Sequence, residues 1–311
     1  DDRLLHAGAF NWTYTLGTGL LDPWLQGATA LIPGRNLPAT ALPQTLADAR
    51  ATIFAAAPGV YRHLLRQPMP NLPALRHGLS AGEAMPEALA KAWQASTGTL
   101  VHQALGLSEC STFISGSSAR PAPPGAIGFP QPGRRVAVLD EAGAAVAQGQ
   151  PGTLAVHCSD PGLMLGYYQM PLETAHRRAG EWFLTGDQVA ADASGALTYL
   201  GRRDDMMNPG GFRVFPAEIE TAMQTATGIH DCAAVEVEIA PGTRIIACLY
   251  TAADVIPPAT LASHANLYLA RYKQPRVFIR LDALPRNPNN KLNRVALRDI
   301  ARHHIRPQEP A

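Results

Sequence analysis

Residues 4–120 alternate short apolar runs with helical stretches, and this alternation constrains the fold more than any other feature of the sequence. The apolar runs predict strands at 29–33, 52–56, 75–81 and 100–104. Helices are predicted between them at 42–49, 59–66 and 87–94, where Pro68 ends the second and Pro86 begins the third. Strands that alternate with helices indicate an α/β layer built on a parallel sheet.

The character of the sequence changes after residue 116. Residues 117–133 are rich in proline, glycine and alanine, and they precede a turn at 192–195 and short strands at 135–139, 152–157 and 196–200. Such a pattern predicts a small β-rich subdomain. The polar stretch 201–205 separates it from a region of mixed character, with helices at 216–225 and 261–269 and strands at 232–237, 245–250 and 276–281.

The chain is therefore expected to contain four parts. They are a partial α/β subdomain at 1–120, a β-rich subdomain at 121–200, a boundary at 201–205 and a small α+β domain at 206–311.

Charge and composition exclude several classes of partner. The formal net charge is +1, only 16% of the residues are charged, and no segment is strongly basic. We therefore expect neither nucleic acid nor an anionic membrane as a partner. No apolar run reaches the ~18 residues of a membrane span. The four cysteines are not closely paired, which favours reduced thiols and a cytoplasmic protein.

Lysine is scarce in this chain. Only Lys91, Lys273 and Lys291 occur among 26 basic residues. Where any positive charge suffices the chain uses arginine, so a retained lysine points to a compact point charge that a planar guanidinium cannot replace. Lys291 lies in a turn-forming stretch, Asn-Pro-Asn-Asn-Lys, and the alternative is an ordinary solvated loop lysine.

Two short motifs follow predicted strands. Gly106, Leu107, Ser108 and Glu109 come after the strand expected to end near residue 104, where a hydroxyl and a carboxylate suit a phosphate with its Mg²⁺. A surface turn is the alternative. Asp187 ends the stretch Trp-Phe-Leu-Thr-Gly-Asp and can accept two hydrogen bonds from a ribose diol, or it is simply an aspartate of a β-turn.

The third motif begins at the boundary, runs from residue 201 to residue 220 and includes Arg202, Asp204, Gly210 and Gly211. The paired glycines allow a close backbone approach or a sharp turn, whereas Pro216 and the acidic residues after it suit the first turn of a helix. The fourth motif is the loop that carries Lys291.

Taken together, in this order and at these intervals, the motifs resemble the successive core motifs of the adenylate-forming superfamily. That superfamily includes acyl- and aryl-CoA synthetases, carrier-loading adenylation domains and luciferases. The resemblance covers essentially the whole chain, including the aromatic stretch 10–14, the adenine-loop-like 80–83 and Gly-Tyr-Tyr at 166–168. The family's Ser/Thr/Gly-rich phosphate loop has no match in residues 1–311, so we expect the chain to begin within the large domain.

The resemblance implies an ATP-dependent, AMP-forming acid–CoA ligase. Such an enzyme joins a carboxylic acid to ATP, giving an acyl-adenylate, and then transfers the acyl group to coenzyme A. The implied cofactors are ATP, Mg²⁺ and coenzyme A, and the implied partners are the acid, a missing N-terminal segment of the same protein and a second copy in a homodimer. The alternatives are an enzyme that loads a carrier protein, and a non-catalytic nucleotide-binding remnant.

The resemblance also implies roles for individual residues. Lys291 would be the adenylation lysine, Glu109 the Mg²⁺ ligand and Asp204 the hinge of a mobile C-terminal domain. The residues implied in cofactor binding are Ser80, Gly82, Glu83, Leu105, Gly106, Ser108, Asp187, Arg202, Gly210, Gly211 and Lys273. Thr13, Tyr14 and Thr112 would line the acyl pocket with Gly106.

Three departures from the family pattern stand out: Ser108 replaces the usual threonine, Leu105 an aromatic residue and Asn290 a glycine.

A sheet cut short at its beginning should also expose an edge and apolar surface. We further expect the chain alone to lack adenylation activity, because its phosphate loop is absent.

Overall fold

A computed structural model of the chain describes residues 1–34, 37–209, 212, 214–240, 243–287 and 291–305. Contacts divide the chain into two compact units, 1–185 with 189–199, and 186–188 with 200–311.

Seven strands of the first unit form one sheet. They are β1 (Arg3–His6), β2 (Thr29–Leu31), β3 (Ile53–Ala56), β4 (His77–Ala81), β5 (Leu100–Leu107), β6 (Ser111–Ser115) and β7 (Phe129–Pro130). Their order is β2-β1-β3-β4-β5-β6-β7. Strands β1 to β5 pair in parallel, whereas β6 and β7 are antiparallel to their neighbours. The predicted parallel α/β sheet is thus confirmed for the four predicted strands, β2 to β5, whereas β1, β6 and β7 were not predicted.

The helices of this part are α1 (Thr13–Leu16), α2 (Asp22–Leu25), α3 (Leu42–Asp48), α4 (Pro58–Leu64) and α5 (Glu87–Thr97). A π-helical turn, Gly17–Leu21, joins the first two. The core beneath the sheet centres on the buried rings of Phe54, Tyr61 and Trp93, whose centroids are 4.8–5.8 Å apart. The Tyr61 hydroxyl lies 2.9 Å from the carbonyl oxygen of Leu79, so this core is fixed to the sheet.

Strand β2 is an edge of the seven-stranded sheet. Large apolar side chains before and just after it are exposed, namely those of Leu16, Leu21, Trp24, Leu25 and Ile32. The first unit therefore presents an apolar surface beside a sheet edge.

A second sheet follows. Its strands are β8 (Val136–Leu139), β9 (Pro151–His157), β10 (Arg178–Ala179), β11 (Trp182–Ala191) and β12 (Leu197–Arg202), with α6 (Pro171–His176) before β10. The order is β10-β11-β9-β8, and β12 pairs with β11. The predicted turn at 192–195 is confirmed, because the Asp192 carbonyl accepts the Gly195 N–H at 3.0 Å.

The second unit has a three-stranded sheet in the order β13-β14-β15, made of β13 (Asp231–Ala240), β14 (Thr243–Thr251) and β15 (Val277–Arg280). Its helices are α7 (Pro216–Met223), α8 (Pro258–Tyr268) and α9 (Arg294–Ile305). Ile219 and Leu261, from α7 and α8, belong to one buried cluster, and Leu297 of α9 belongs to another. This unit therefore has apolar cores of its own.

Two sequence expectations need correction. The strand expected to end near residue 104 continues to Leu107, because the unpredicted β6 pairs with it as a hairpin. Gly106 and Leu107 are consequently strand residues, and only 108–110 form the turn. The twelve-residue helix α9 was also not predicted, and neither were the short helices α1, α2 and α6.

Candidate active site

Three predicted site segments meet at one edge of the first sheet. The aromatic stretch follows β1, the adenine-loop-like residues end β4, and the Ser108–Glu109 motif ends β5. Because these three strands are parallel, their carboxyl ends lie at the same edge, where α/β sheets bind ligands.

Trp12 packs against the backbone of Gly82. A Cβ atom at Gly82 would lie 2.9 Å from the Trp12 ring, and Gly82 has φ +95°, a conformation that favours glycine. The neighbouring Ser80 is buried, and its hydroxyl has no hydrogen-bond partner among the described residues. Glu83 is half-buried. The geometry thus brings the aromatic stretch and the adenine-loop-like residues into contact.

His6, Trp12 and Tyr14 form a cluster of rings at the end of β1. The Tyr14 ring centroid lies 4.8 Å from that of His6 and 5.2 Å from that of Trp12. Burial lowers the pKa of His6 to about 4 and raises that of Tyr14. Both side chains are therefore neutral at pH 7.

The predicted pocket residues differ in exposure. Thr13 is exposed and Thr112 half-buried, whereas the Tyr14 side chain is buried and its hydroxyl has no hydrogen-bond partner within the described ranges. His6 was not identified from the sequence, although its position at the end of an apolar run, just before the aromatic stretch, could have indicated it.

The β5–β6 hairpin holds the residues predicted around the phosphate. Gly106 pairs with Thr112, and a Cβ atom at Gly106 would lie 2.8 Å from the Ser111 carbonyl oxygen. Ser108 is exposed at the tip, whereas Glu109 is half-buried. Leu105 packs against the buried cluster of the second sheet. The hairpin thus presents a hydroxyl and a carboxylate side by side.

Glu109 has partners 55 and 58 residues further along the chain. The Tyr167 hydroxyl donates to Glu109 Oε1 at 2.7 Å, and the Met164 N–H donates to the Glu109 carbonyl at 2.7 Å. A plain surface turn would need neither contact. Residues 160–167, which we call the strap, therefore fix both the backbone and the side chain of Glu109.

The strap begins at a buried ion pair. The Asp160 carboxylate accepts hydrogen bonds from Arg134 Nη1 and the Gly162 N–H, both at 2.8 Å. Arg134 Nη2 donates to the Thr112 carbonyl at 3.0 Å. Burial alone would raise the pKa of Asp160, but these hydrogen bonds and the charge of Arg134 outweigh it and lower that pKa. The pair consequently ties the start of the strap to the hairpin.

Asp187, Arg202 and Asp204 form a second group. Asp187 lies within β11 and is 2% exposed, so the alternative of a β-turn aspartate is wrong. Arg202, the last residue of β12, places Nη1 3.3 Å from Asp187 Oδ1 and Nη2 3.9 Å from Asp204 Oδ2. Three predicted residues are therefore neighbours: Asp187 for the ribose diol, Arg202 for ribose or phosphate, and Asp204 for the hinge.

Lys273 already has a partner in the second unit. Its Nζ contacts the Glu218 carboxylate and lies 5.4 Å from the centroid of the Tyr272 ring. Burial alone would lower the pKa of Lys273, but the hydrogen bond and charge of Glu218 outweigh it and raise that pKa. A phosphate at this site would have to compete with Glu218.

Lys291 is exposed at the end of its loop. Its N–H donates to Asn287 Oδ1 at 2.9 Å, and its carbonyl accepts the Asn287 N–H at 2.8 Å. The backbone at Lys291 is thus held in a turn while its side chain reaches solvent. The departure at Asn290 and the predicted loop residues Gly210 and Gly211 lie outside the described residues.

Neither a protein-built metal cage nor a membrane span is found in the parts of the chain that the structure describes. No group of three or more His, Cys, Asp or Glu side chains there could hold a metal ion. No helix there is long and apolar enough to cross a bilayer.

Comparisons with known proteins agree with this geometry. A family model described as "AMP-binding enzyme" matches residues 1–168, more than half of the chain. Benzoate–CoA ligase of Thauera aromatica is 31% identical over 308 residues, which are 96% of this chain and 58% of that protein. 3-Hydroxybenzoate–CoA ligase of Aromatoleum sp. (strain CIB) is 30% identical over 314 residues, with the same two coverages.

A solved structure is similar over nearly the whole chain. Anthranilate CoA ligase AuaEII in complex with anthranoyl-AMP has a TM-score of 0.88 and 27% identity, covering 98% of this chain and 60% of that one. The chain thus spans less than two thirds of the length of these relatives. The family match shows that the chain belongs to the AMP-binding enzyme family of adenylate-forming enzymes.

Proposed function

We propose that this chain is part of an AMP-forming acid–CoA ligase. In the first half-reaction a carboxylate oxygen attacks the α-phosphorus of ATP, giving an acyl-adenylate and pyrophosphate. In the second, the thiol of coenzyme A attacks the acyl carbon and AMP leaves. The observation that carries the proposal is the convergence of the aromatic stretch, Gly82 and the Glu109 hairpin at the carboxyl ends of β1, β4 and β5.

The acid is proposed to be aromatic. Two of the most similar curated relatives are named for benzoate and 3-hydroxybenzoate, and the similar solved structure holds anthranoyl-AMP. The ring cluster around Tyr14 supports an apolar, bounded cavity for such an acid, which Thr112 would border from β6.

Glu109 and Ser108 are proposed to hold Mg²⁺ together with phosphate oxygens. Their carboxylate and hydroxyl are hard oxygen ligands, and one carboxylate with substrate phosphates suits Mg²⁺ better than a cage built from protein alone. The bound ion would neutralise phosphate charge. Glu109 would keep it at a fixed place, because the strap holds that side chain.

Asp187 and Arg202 are proposed to bind the ribose and phosphate of the nucleotide. The carboxylate of Asp187 can accept hydrogen bonds from both ribose hydroxyls, and Arg202 lies 3.3 Å away, where it can orient Asp187 and meet a phosphate. The backbone of Gly82 and Glu83 would border the adenine, since only a glycine lets Trp12 pack there.

Lys291 is proposed to place a positive charge between the acid's carboxylate and the α-phosphate. The turn that holds its backbone leaves the ammonium free to reach a ligand. Asp204 would serve as the hinge, beside Arg202, and Gly210, Gly211 and Lys273 would meet coenzyme A.

A further segment of the same protein is proposed to cover the edge of the first sheet. The exposed Trp24, Leu25 and Ile32 beside edge strand β2 support this, because such a surface is otherwise prone to aggregation. The relatives have the length for such a segment, since the chain spans only 58% of them. The four free thiols are in keeping with a cytoplasmic location.

The test is AMP release from ATP and coenzyme A across a panel of benzoates and short aliphatic acids. It should use the gene product together with any residues that precede or follow this chain. Lys291→Ala should lower AMP release by ~100-fold or more, because it removes a charge aimed at the transition state, yet still convert a supplied acyl-adenylate to the acyl-CoA. Lys91→Ala is the matched control, because Lys91 is an exposed helix residue paired with Glu87.

Three outcomes would redirect the proposal. Pyrophosphate exchange without CoA-dependent AMP release would favour carrier loading. Neither activity with any acid would favour a non-catalytic remnant. Equal losses in Lys291→Ala and Lys91→Ala would remove the special role of Lys291. The 311-residue chain alone should show no ATP–pyrophosphate exchange.

A further inference from the structure

Tyr167 is the residue of the strap that touches the side chain of Glu109. Its hydroxyl lies 2.7 Å from Oε1, a short distance typical of a hydrogen bond to a charged acceptor. An ionised carboxylate only accepts hydrogen bonds, so the Tyr167 hydroxyl is the donor in this pair.

The backbone of Tyr167 is fixed from the other side. Its N–H donates to Thr174 Oγ1 at 2.9 Å, and that hydroxyl donates at 2.9 Å to the carbonyl of Met170, the residue before α6. A Cβ atom at Gly166 would lie 3.1 Å from Thr174, so the strap packs closely on the helix. The backbone of Tyr167 is thus anchored to α6.

These contacts restrict the rotamers that Glu109 can adopt. A half-buried glutamate has three rotatable side-chain bonds and would otherwise distribute over several staggered states. The Met164 N–H fixes its backbone carbonyl, and Tyr167 fixes one carboxylate oxygen. Among the described residues Oε2 has no hydrogen-bond partner, so a cation can take this oxygen without displacing Tyr167.

We propose that Tyr167 is a positioning residue for the metal-binding carboxylate, holding Glu109 so that Oε2 faces the Mg²⁺ of the bound nucleotide. This rests on the proposed function, in which Glu109 is the protein ligand of Mg²⁺. The strap that ends at Tyr167 starts at Asp160, which forms a buried ion pair with Arg134. Arg134 also donates to the Thr112 carbonyl, so it fixes the position of the strap relative to the hairpin.

The test compares Tyr167→Phe with Tyr168→Phe. Tyr168 is the adjacent tyrosine and 87% exposed, and its contact is a 3.4 Å hydrogen bond from Gln169. Calorimetric affinity for α,β-methylene-ATP is measured while Mn²⁺ is varied in place of Mg²⁺. Tyr167→Phe should need ~10-fold more Mn²⁺ for half-maximal affinity, since loss of a group that orients a metal ligand costs ~10- to 100-fold. Tyr168→Phe should match the unchanged protein.

A double-mutant cycle separates positioning from packing. In a Glu109→Gln background, Tyr167→Phe should cause no further shift in the Mn²⁺ midpoint, because the carboxylate that it orients is gone. Tyr167→Phe could shift the Mn²⁺ midpoint equally in the unchanged protein and in Glu109→Gln, or not shift it at all. Either result would overturn the positioning role of Tyr167 but leave the Mg²⁺ role of Glu109 intact. Nucleotide binding without any Mn²⁺ dependence in the unchanged protein would instead overturn the Mg²⁺ role of Glu109, and this inference with it.

Discussion

Single residues of the site depend on contacts far away along the chain. Glu109 meets Tyr167 and Met164, and the buried Asp160 joins Arg134, which in turn holds the Thr112 carbonyl. The position of the Glu109 carboxylate is thus set by hydrogen bonds from the strap and not only by the turn that contains Glu109. A preorganised carboxylate costs little reorganisation when a cation arrives.

His6 gives a pH-dependent prediction at this scale. Burial lowers its pKa to about 4, whereas an exposed histidine titrates near pH ~6.5. Between these values the unfolded chain binds a proton that the folded chain does not, so the free energy of unfolding falls as the pH drops from about 6.5 to about 4. The shift corresponds to about 3 kcal/mol at most. His77 and His102, whose pKa values are also lowered by burial, contribute in the same direction.

Urea denaturation at pH values from 7.5 to 4.5 measures this slope. His6→Gln should flatten it, because the glutamine takes up no proton in this window. His176→Gln is the control, since His176 is exposed on α6, and it should keep the slope of the unchanged chain. Equal slopes for His6→Gln and the unchanged chain would show that His6 titrates normally when folded.

At the scale of elements, one glycine allows two backbone segments to meet. Gly128 bridges to Leu197 and has φ +147°, and a Cβ atom there would lie 2.1 Å from the Ser115 backbone. Gly143 has a comparable need for positive φ, +81°, but nothing lies within 4 Å of a Cβ atom. An alanine at Gly143 would therefore cause backbone strain only, whereas an alanine at Gly128 would cause strain and a steric clash.

Gly128→Ala should lower the free energy of unfolding by ~3 kcal/mol or more, because strands must move apart as well as adopt a strained conformation. Gly143→Ala should cost only ~1–2 kcal/mol, the conformational part alone. Denaturant midpoints compare the two. Similar losses in both variants would mean that β6 can shift freely, contrary to its pairing with β5 and β7.

Elements whose formation depends on nearby residues could be predicted from the sequence, whereas elements that depend on distant pairing could not. Strands β3, β4, β9 and β14 are apolar runs bounded by turn residues, and the sequence predicts them to within about two residues. Strand β6 could not be predicted, because Ser111–Ser115 shows no alternation of polar and apolar residues and becomes a strand through its pairing with β5. Helix α9 had a usable signal, since the Asn293 side chain accepts the Ala296 N–H at 3.1 Å.

The candidate site divides in the same way. The order of the family motifs indicates Glu109, Asp187 and Lys291 from the sequence, although Asp187 lies within β11 and not after it. The contacts of Tyr167 with Glu109 and of Asp160 with Arg134 join residues 58 and 26 apart. No local pattern encodes such pairs, because they arise only when the second sheet packs on the hairpin.

On the scale of the whole molecule, each unit has apolar cores of its own. Leu297 of α9 is fully buried against β13 and β14 in the second unit, and Leu154 of β9 is fully buried in the first. A unit that closes its own core can open without the other. We therefore expect the two units to respond separately to core substitutions.

Leu297→Ala and Leu154→Ala form a matched pair for this test, because each removes the same atoms from a different core. Each should destabilise its own unit by ~2–5 kcal/mol through the lost burial and the cavity left behind. Amide hydrogen exchange should accelerate in β13 to β15 for Leu297→Ala and in β8 to β11 for Leu154→Ala. If either substitution accelerated exchange in both units alike, the chain would open as one cooperative body, and a C-terminal unit that rotates about Asp204 would lose its physical basis.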